Sequence, residues 1–165
     1  MRYLSVVLAP LLLAVFIPDL ERPRTAAAQI ASFFEGRTES RGELHRMFSK
    51  MHIMTSSSIG RIEPDGTLVL DQIVEETDTA PVKRVWRLRE NRPGHCTGTV
   101  SDGVGPVQGE FTANQLHLTF ELKGGLMVEQ WLTLGPDGRS ASNRLKIRKF
   151  GMQVATLDAV IKKVD

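Results

Sequence analysis

The sequence holds a single cysteine, Cys96, among 165 residues, so no disulfide can form within the chain and the fold must stand on its core. It has no excess of one charge sign either. Its 21 basic and 19 acidic residues leave a formal +2, too even for the electrostatic footprint of a nucleic-acid binder. The apolar run at residues 4–17 is 14 residues long, too short to span a bilayer comfortably. A long helical period is missing throughout. What remains, 41% hydrophobic and 24% charged residues, is ordinary globular composition sufficient for one domain with one real core, and it excludes disordered and fibrous classes.

Catalytic spacing is also missing. The four histidines, His45, His52, His95 and His117, fall on separate expected strands without the close pairing that a metal-ligand motif needs, so no metal or other cofactor is expected. Ser56, Ser57 and Ser58 lack the strand, sharp turn and helix of a nucleophile elbow, and no Gly-x-Ser-x-Gly occurs. The glycine-rich stretch at residues 103–109 contains Pro106 and is followed by no helix, which removes the dipole that would hold a pyrophosphate. Its glycines read instead as backbone positions at a barrel corner, with Asp102 capping the turn before them. Cys96, alternating with His95 and Thr97, reads as a small buried apolar residue. No catalytic residue is expected.

The chain does carry an export pattern. Arg2 precedes the apolar run, and Thr25, Ala26, Ala27, Ala28 and Gln29 supply the small residues that a signal peptidase reads. Residues 1–28 are therefore expected to be a signal peptide cut after Ala28, with residues 29–165 forming a single periplasmic domain. The alternative is an uncleaved anchor in the inner membrane. No cysteine stands just after the apolar run, so the lipoprotein route of acylating a mature N-terminal cysteine is not available. Cleavage leaves 18 basic and 17 acidic residues, a nearly neutral protein.

After a helical turn expected from Ile30 to Gly36, which lays Phe33 and Phe34 on the core, the period changes to two and stays there. Strands are expected near 37–48, 50–60, 66–75, 82–90, 95–101, 106–112, 114–123, 126–134, 140–149 and 152–163. Two Pro-Asp-Gly triplets, Pro64, Asp65, Gly66 and Pro136, Asp137, Gly138, mark hairpin ends. Alternation is cleanest where Leu116, Leu118, Phe120 and Leu122 share one face and His117, Thr119, Glu121 and Lys123 the other. The same phase turns Leu126, Val128, Leu132 and Leu134 inward together with Gln130, and leaves Trp131 facing out beside Glu129. On the next strand Arg144, Lys146 and Arg148 form a basic outer face, read as a solvated wall. Short strands at such spacing, joined by tight turns, predict an all-β up-and-down antiparallel barrel of about eight to ten strands, with a Greek-key sandwich as the competitor.

Phe33, Phe34, Glu35 and Gly36, then Val85, Trp86, Arg87 and Leu88, then Gly98, Thr99, Asp102, Gly103, Val104, Gly105 and Gly109, and finally Trp131, Lys149, Phe150 and Gly151 follow an order and spacing that resembles the bacterial domain of unknown function family 3833. The resemblance covers nearly the whole mature chain and implies a small exported lipocalin-like protein. It also offers a hint toward lipid, since genes of the family tend to lie beside genes for fatty-acid modification. It supplies no catalytic or ligand residues. The expectation is a binding or carrier protein for an apolar small molecule, such as a fatty acid or lipid, with the envelope membrane surface as a further partner. Candidate lining residues are Leu116, Leu118, Phe120, Val128 and Leu132, with Trp86 and Trp131 at the mouth, where an amphipathic ring suits a half-wet site. An envelope scaffold with a filled barrel is the alternative. A lipid-modifying enzyme, which needs titratable groups converging in the cavity, such as Asp102 with His95 or His117, is the weaker one.

Overall fold

The period of two resolves into ten antiparallel strands behind one helix. The computed structural model describes residues 25–164. Helix α1 (Ala26–Phe34) leads to β1 (Gly36–Arg46), β2 (His52–Ile62), β3 (Leu68–Glu76), β4 (Val82–Arg92), β5 (His95–Val100), β6 (Gly103–Thr112), β7 (Gln115–Leu122), β8 (Leu126–Leu134), β9 (Ser140–Lys149) and β10 (Met152–Lys163). Each strand pairs with its sequence neighbours and β1 pairs with β10, so the sheet closes without a free edge. This is the expected lipocalin-like up-and-down barrel, with ten strands, and the Greek-key sandwich is ruled out.

The turns form for the reasons their residues supply. Asp65 Oδ1 accepts from Thr67 N at 3.0 Å, and Asp137 Oδ1 accepts from Arg139 N and Ser140 N, both at 3.0 Å. Gly66 and Gly138 take the positive φ that follows each aspartate. The first two strands are shifted from their expected positions, because the turn between them spans residues 47–51 with Phe48 at φ 63°. Strand β6 begins three residues earlier than expected. Its register slips between Val104 and Gln108, where Gly105 at φ 78° and Pro106 bulge the strand at the barrel corner.

Helix α1 is longer than the single turn expected from Ile30. Thr25 caps it, its hydroxyl accepting from Ala28 N at 3.2 Å, and the alanines assigned to a cleavage site are good helix formers. The bulk of the expected signal peptide, residues 1–24, lies outside the described residues, while the bond after Ala28 lies inside α1. Ile30, Phe33 and Phe34 share one buried face, the two rings meeting edge to face at 5.0 Å. Each such side chain contributes about 2 kcal/mol by burial. The helix closes the end of the barrel where β1 starts and β10 finishes. Two details hold it there. A Cβ at Gly60 of β2 would lie 1.8 Å from the Phe34 carbonyl oxygen, so only glycine admits the helix end. Lys163 Nζ donates to the carbonyls of Ser32 (3.1 Å), Phe33 (3.3 Å) and Glu35, which the helix itself leaves unpaired.

The core sits inside the barrel as alternation requires. Leu116, Leu118 and Phe120 of β7 and Val128 and Leu132 of β8 are buried, packed against α1, Trp86, Val100 and Val107. A second cluster, Leu44, Ala155, Leu157 and Ala159, lines the interior on β1 and β10. The outer face of β9 is part solvated and part paired: Arg144 Nε binds Asp158 at 2.6 Å, and Arg148 binds Glu129.

Candidate functional site

The inward faces enclose a cavity of about 160 Å³. It runs from Ile30 and Phe34 of α1, past Leu70, Trp86, Leu116, Leu118, Phe120 and Val128, to Leu44, Arg84 and Leu122 near the opposite end. Among the described residues no helix covers that opposite end, which is formed by the β1–β2, β3–β4, β5–β6, β7–β8 and β9–β10 hairpins.

The apolar lining is interrupted by one short polar row, and every group in it is satisfied by a neighbour. Ser40 and Ser56 hydroxyls lie 2.7 Å apart, Gln72 Nε2 donates to Ser56 Oγ at 3.3 Å, and Trp86 Nε1 donates to Gln72 Oε1 at 3.2 Å. On the other side Gln130 Nε2 donates to Asn143 Oδ1 at 2.9 Å, which explains why β8 tolerates a glutamine facing inward. Dry walls with a few fixed polar groups are the usual composition of a small-molecule site. Toward the open end, Arg84 grips Asp102: Nε lies 2.9 and 3.0 Å from the two carboxylate oxygens and Nη2 lies 2.6 Å from Oδ2. Asp102 therefore serves Arg84 through its carboxylate, in place of the backbone cap expected from its position in the turn. Arg84 itself lines the cavity, so the mouth carries a fixed, internally neutralised dipole.

The candidate residues divide by strand phase. Leu116, Leu118, Phe120, Val128 and Leu132 all line the cavity. Trp86 does too, but deeper than a half-wet mouth: it is 7% exposed and stacks edge to face on Phe120 at 5.1 Å. Trp131 lies outside. It alternates with the inward Gln130 and Leu132, so its ring stands on the outer wall, stacked on His117 at 4.9 Å with Lys146 Nζ 5.3 Å from its centre. A groove of about 870 Å³ passes Trp131 there, between Arg41, Glu43, Arg144 and Asp158. Its charged, solvated walls lack the dry enclosure of the interior.

Among the described residues, titratable groups do not gather in the cavity. His117 is on the outer wall, and His95, at the start of β5 beside Glu110 (3.8 Å), lies at the end of the barrel opposite Asp102. No three of the described His, Cys, Asp and Glu residues lie close enough together to hold a metal ion. Cys96 is buried against Gly109, and burial, with a smaller effect from Glu90, pushes its thiol up to about 11.

The family described as "Protein of unknown function (DUF3833)" matches residues 14–163. The chain belongs to that family. Nothing among curated proteins matches this DUF3833 member. Among solved structures it is similar to the S-type phycobiliprotein lyase CPES from Guillardia theta, with a TM-score of 0.69 at 10% identity over 86% of this chain and 94% of that one. It is also similar to Rv2717c from M. tuberculosis, with a TM-score of 0.61 at 19% identity over 84% of this chain and 98% of that one. At these identities the likeness is one of fold.

Sequence reasoning missed the polar row of this DUF3833 barrel and the Arg84–Asp102 pair. A signal for the first existed: Ser40 and Ser56 keep the phase of the inward residues on their strands. Arg84 likewise keeps the phase of Trp86 and Leu88, which turns it inward.

Proposed function

We propose that the protein is an exported carrier that holds the apolar part of a small molecule, an acyl chain of a fatty acid or lipid, inside the barrel. The observation that supports this is a mostly apolar cavity within a closed sheet, stoppered at one end by Ile30 and Phe34 and lined by Leu116, Leu118, Phe120 and Val128. Its 160 Å³ is close to the size of an engineered apolar cavity, about 150 Å³, that stays dry and takes up benzene. At about 30 Å³ per water-sized group it accepts about five methylenes, a gross gain of about 4 kcal/mol before ordering costs. The rest of a longer chain extends past Arg84 to the open end. Asp102, His95 and His117, the groups a lipid-modifying enzyme would bring together, lie apart.

The test is to purify the protein from the cell envelope without detergent, extract it with organic solvent and identify the extract by mass spectrometry. The expected result is a stoichiometric acyl-chain lipid, lost when Leu118→Arg puts an unpaired charge among the lining residues. A modest volume also favours a second reading, a scaffold whose interior is filled by its own side chains. An empty extract together with no uptake of fluorescent fatty acids selects that reading.

Export rests on the N-terminal pattern, residues 4–17 acting as a removable signal with the mature chain beginning at Gln29. Ile30, Phe33 and Phe34 all follow that cut, so the stopper survives it. The intact mass of periplasmic protein tests this. A mass retaining residues 4–17 would mean an anchored protein in the inner membrane.

A further inference from the structure

We propose that the open end of the barrel docks on a lipid bilayer bearing anionic headgroups, with Phe48 and Phe150 inserted among them. The proposal rests on the carrier reading for its purpose, loading or delivering an acyl chain, but on separate residues for its evidence. Phe48 is fully exposed and Phe150 is 87% exposed. They occupy the tips of the β1–β2 and β9–β10 hairpins, which lie side by side because β1 pairs with β10, and which Met47 N joins by donating to Val154 O at 2.9 Å. Met47, Met51 and Met152 on the same hairpins and Met127 at the start of β8 are each about half exposed. These side chains stand on three neighbouring hairpins at the end of the barrel opposite α1.

Backbone geometry sharpens the case. Phe48 (φ 63°) and Phe150 (φ 51°) both hold the left-handed conformation, Phe150 next to Gly151 at φ 79° in the turn that favours Asn-Gly or Asp-Gly. A bulky residue is rare there, and a small polar one would relax the turn. Neither ring repays that strain by packing inside the barrel, so the gain has to come from a partner outside it.

Charge names the partner. The tips at residues 47–51, 123–125 and 150–151 contain no acid, and Lys50, Lys123 and Lys149 flank the exposed rings, with Lys149 Nζ 5.6 Å from the Phe150 ring centre. Among the described residues these three lysines make no ion pair. Glu121 lies in the strand below the β7–β8 tip, opposite Met127. The acids of this end, Glu75, Glu76, Asp78 and Asp102, belong to the adjoining β3–β4 and β5–β6 hairpins, where Arg46 binds Glu76 and Arg84 binds Asp102. Apolar tips ringed by lysine fit an anionic lipid surface, where aromatic and aliphatic groups bury at the headgroup level and each lysine strengthens partitioning about fivefold. Two copies meeting through this rim would bring like charges together.

The experiment uses envelope-purified protein with vesicles of phosphatidylethanolamine and phosphatidylglycerol, and with vesicles of phosphatidylcholine alone. Co-sedimentation is expected with the first and weakened by salt. The double variant Phe48→Ser and Phe150→Ser should lower partitioning about tenfold or more, and Lys50→Glu with Lys123→Glu should lower it on the anionic vesicles. A local reading excludes attachment through any other part of the chain: in Phe150→Trp the added emission should shift to the blue and be quenched by brominated lipid, while in Ile59→Trp, on the outer wall toward the covered end, it should not. The proposal is overturned by an unquenched Phe150→Trp, by equal loss of partitioning from Ile59→Ser and the rim variant, or by a rim-dependent dimer in light scattering without vesicles. Leu118→Arg separates the two readings, since it should lose extractable lipid yet keep Phe150→Trp quenching. Lipid-free protein whose rim still docks ends the carrier reading alone, and lipid-loaded protein whose rim ignores vesicles ends the docking proposal alone.

Discussion

Leu118→Ala tests whether the barrel interior is both packed and receptive. Leu118 is 1% exposed and faces Gly109 on β6 and Gln130 on β8. Truncation removes three carbons, and at about 0.8 kcal/mol per buried methylene the transfer loss alone is about 2.4 kcal/mol. A cavity term adds to it, because β7 is held in register from both sides and cannot move in to fill the gap. The expected total is about 3–4 kcal/mol, within the range of such substitutions. For a domain of this size that lowers Tm by about 10 °C. Thermal denaturation followed by circular dichroism measures it. The enlarged void should then take a small apolar ligand, and saturating to about a hundred times Kd should restore about 2.7 kcal/mol. A loss below about 1 kcal/mol would refute the packing argument. A full loss that benzene and short fatty acids leave unrelieved would refute the claim that the interior receives ligands.

Gly109→Ala should destabilise strongly, since its Cβ would lie 2.4 Å from Cys96 Sγ and 2.8 Å from Leu118 Cδ2. Adding Cys96→Ala should recover part of that loss in a double-mutant cycle of denaturant midpoints, and strict additivity would disprove the contact. Cys96 should resist alkylation at neutral pH in the native protein and react rapidly once unfolded, because burial raises its thiol to about 11; equal rates in the two states would mean an exposed thiol. Glu76 is held below its usual range, chiefly by hydrogen bonds from Arg46, with burial opposing. A depressed carboxyl contributes stability that is present above its unfolded value and is lost as pH falls through the folded one. Glu76→Gln should therefore flatten the loss of stability with acid at and below the ordinary carboxylate range in a pH series of urea titrations, by less than about 1 kcal/mol because Arg46 is partly solvated. An unchanged slope would show that the pair contributes nothing.

Strand content was legible because a strand's phase is written in adjacent residues. Leu116, Leu118 and Phe120 had to share a face whatever lay beyond it, and all ten strands fall within a few residues of their expected positions. The turns were legible for the same reason, Asp65 and Asp137 bonding to backbone two residues on. The helix was underestimated because Ala26, Ala27 and Ala28 serve a cleavage site and a helical turn equally well, and only the seat for Phe34 beside Gly60 shows that a helix is accommodated there.

By itself, then, the sequence determined the approximate strand positions, the hairpins, the inward phase and the buried state of Cys96, all of which follow from local alternation and turn chemistry. The tertiary structure decided what local pattern cannot carry. Closure of β1 on β10 joins residues more than a hundred positions apart, and it sets how much space the interior keeps. The partner of Arg84 is 18 residues away across two strands. The gathering of Phe48, Phe150 and three lysines on one rim depends on which hairpins stand next to one another around the barrel. Adjacency across a closed sheet is a property of the ring, and no stretch of chain contains it.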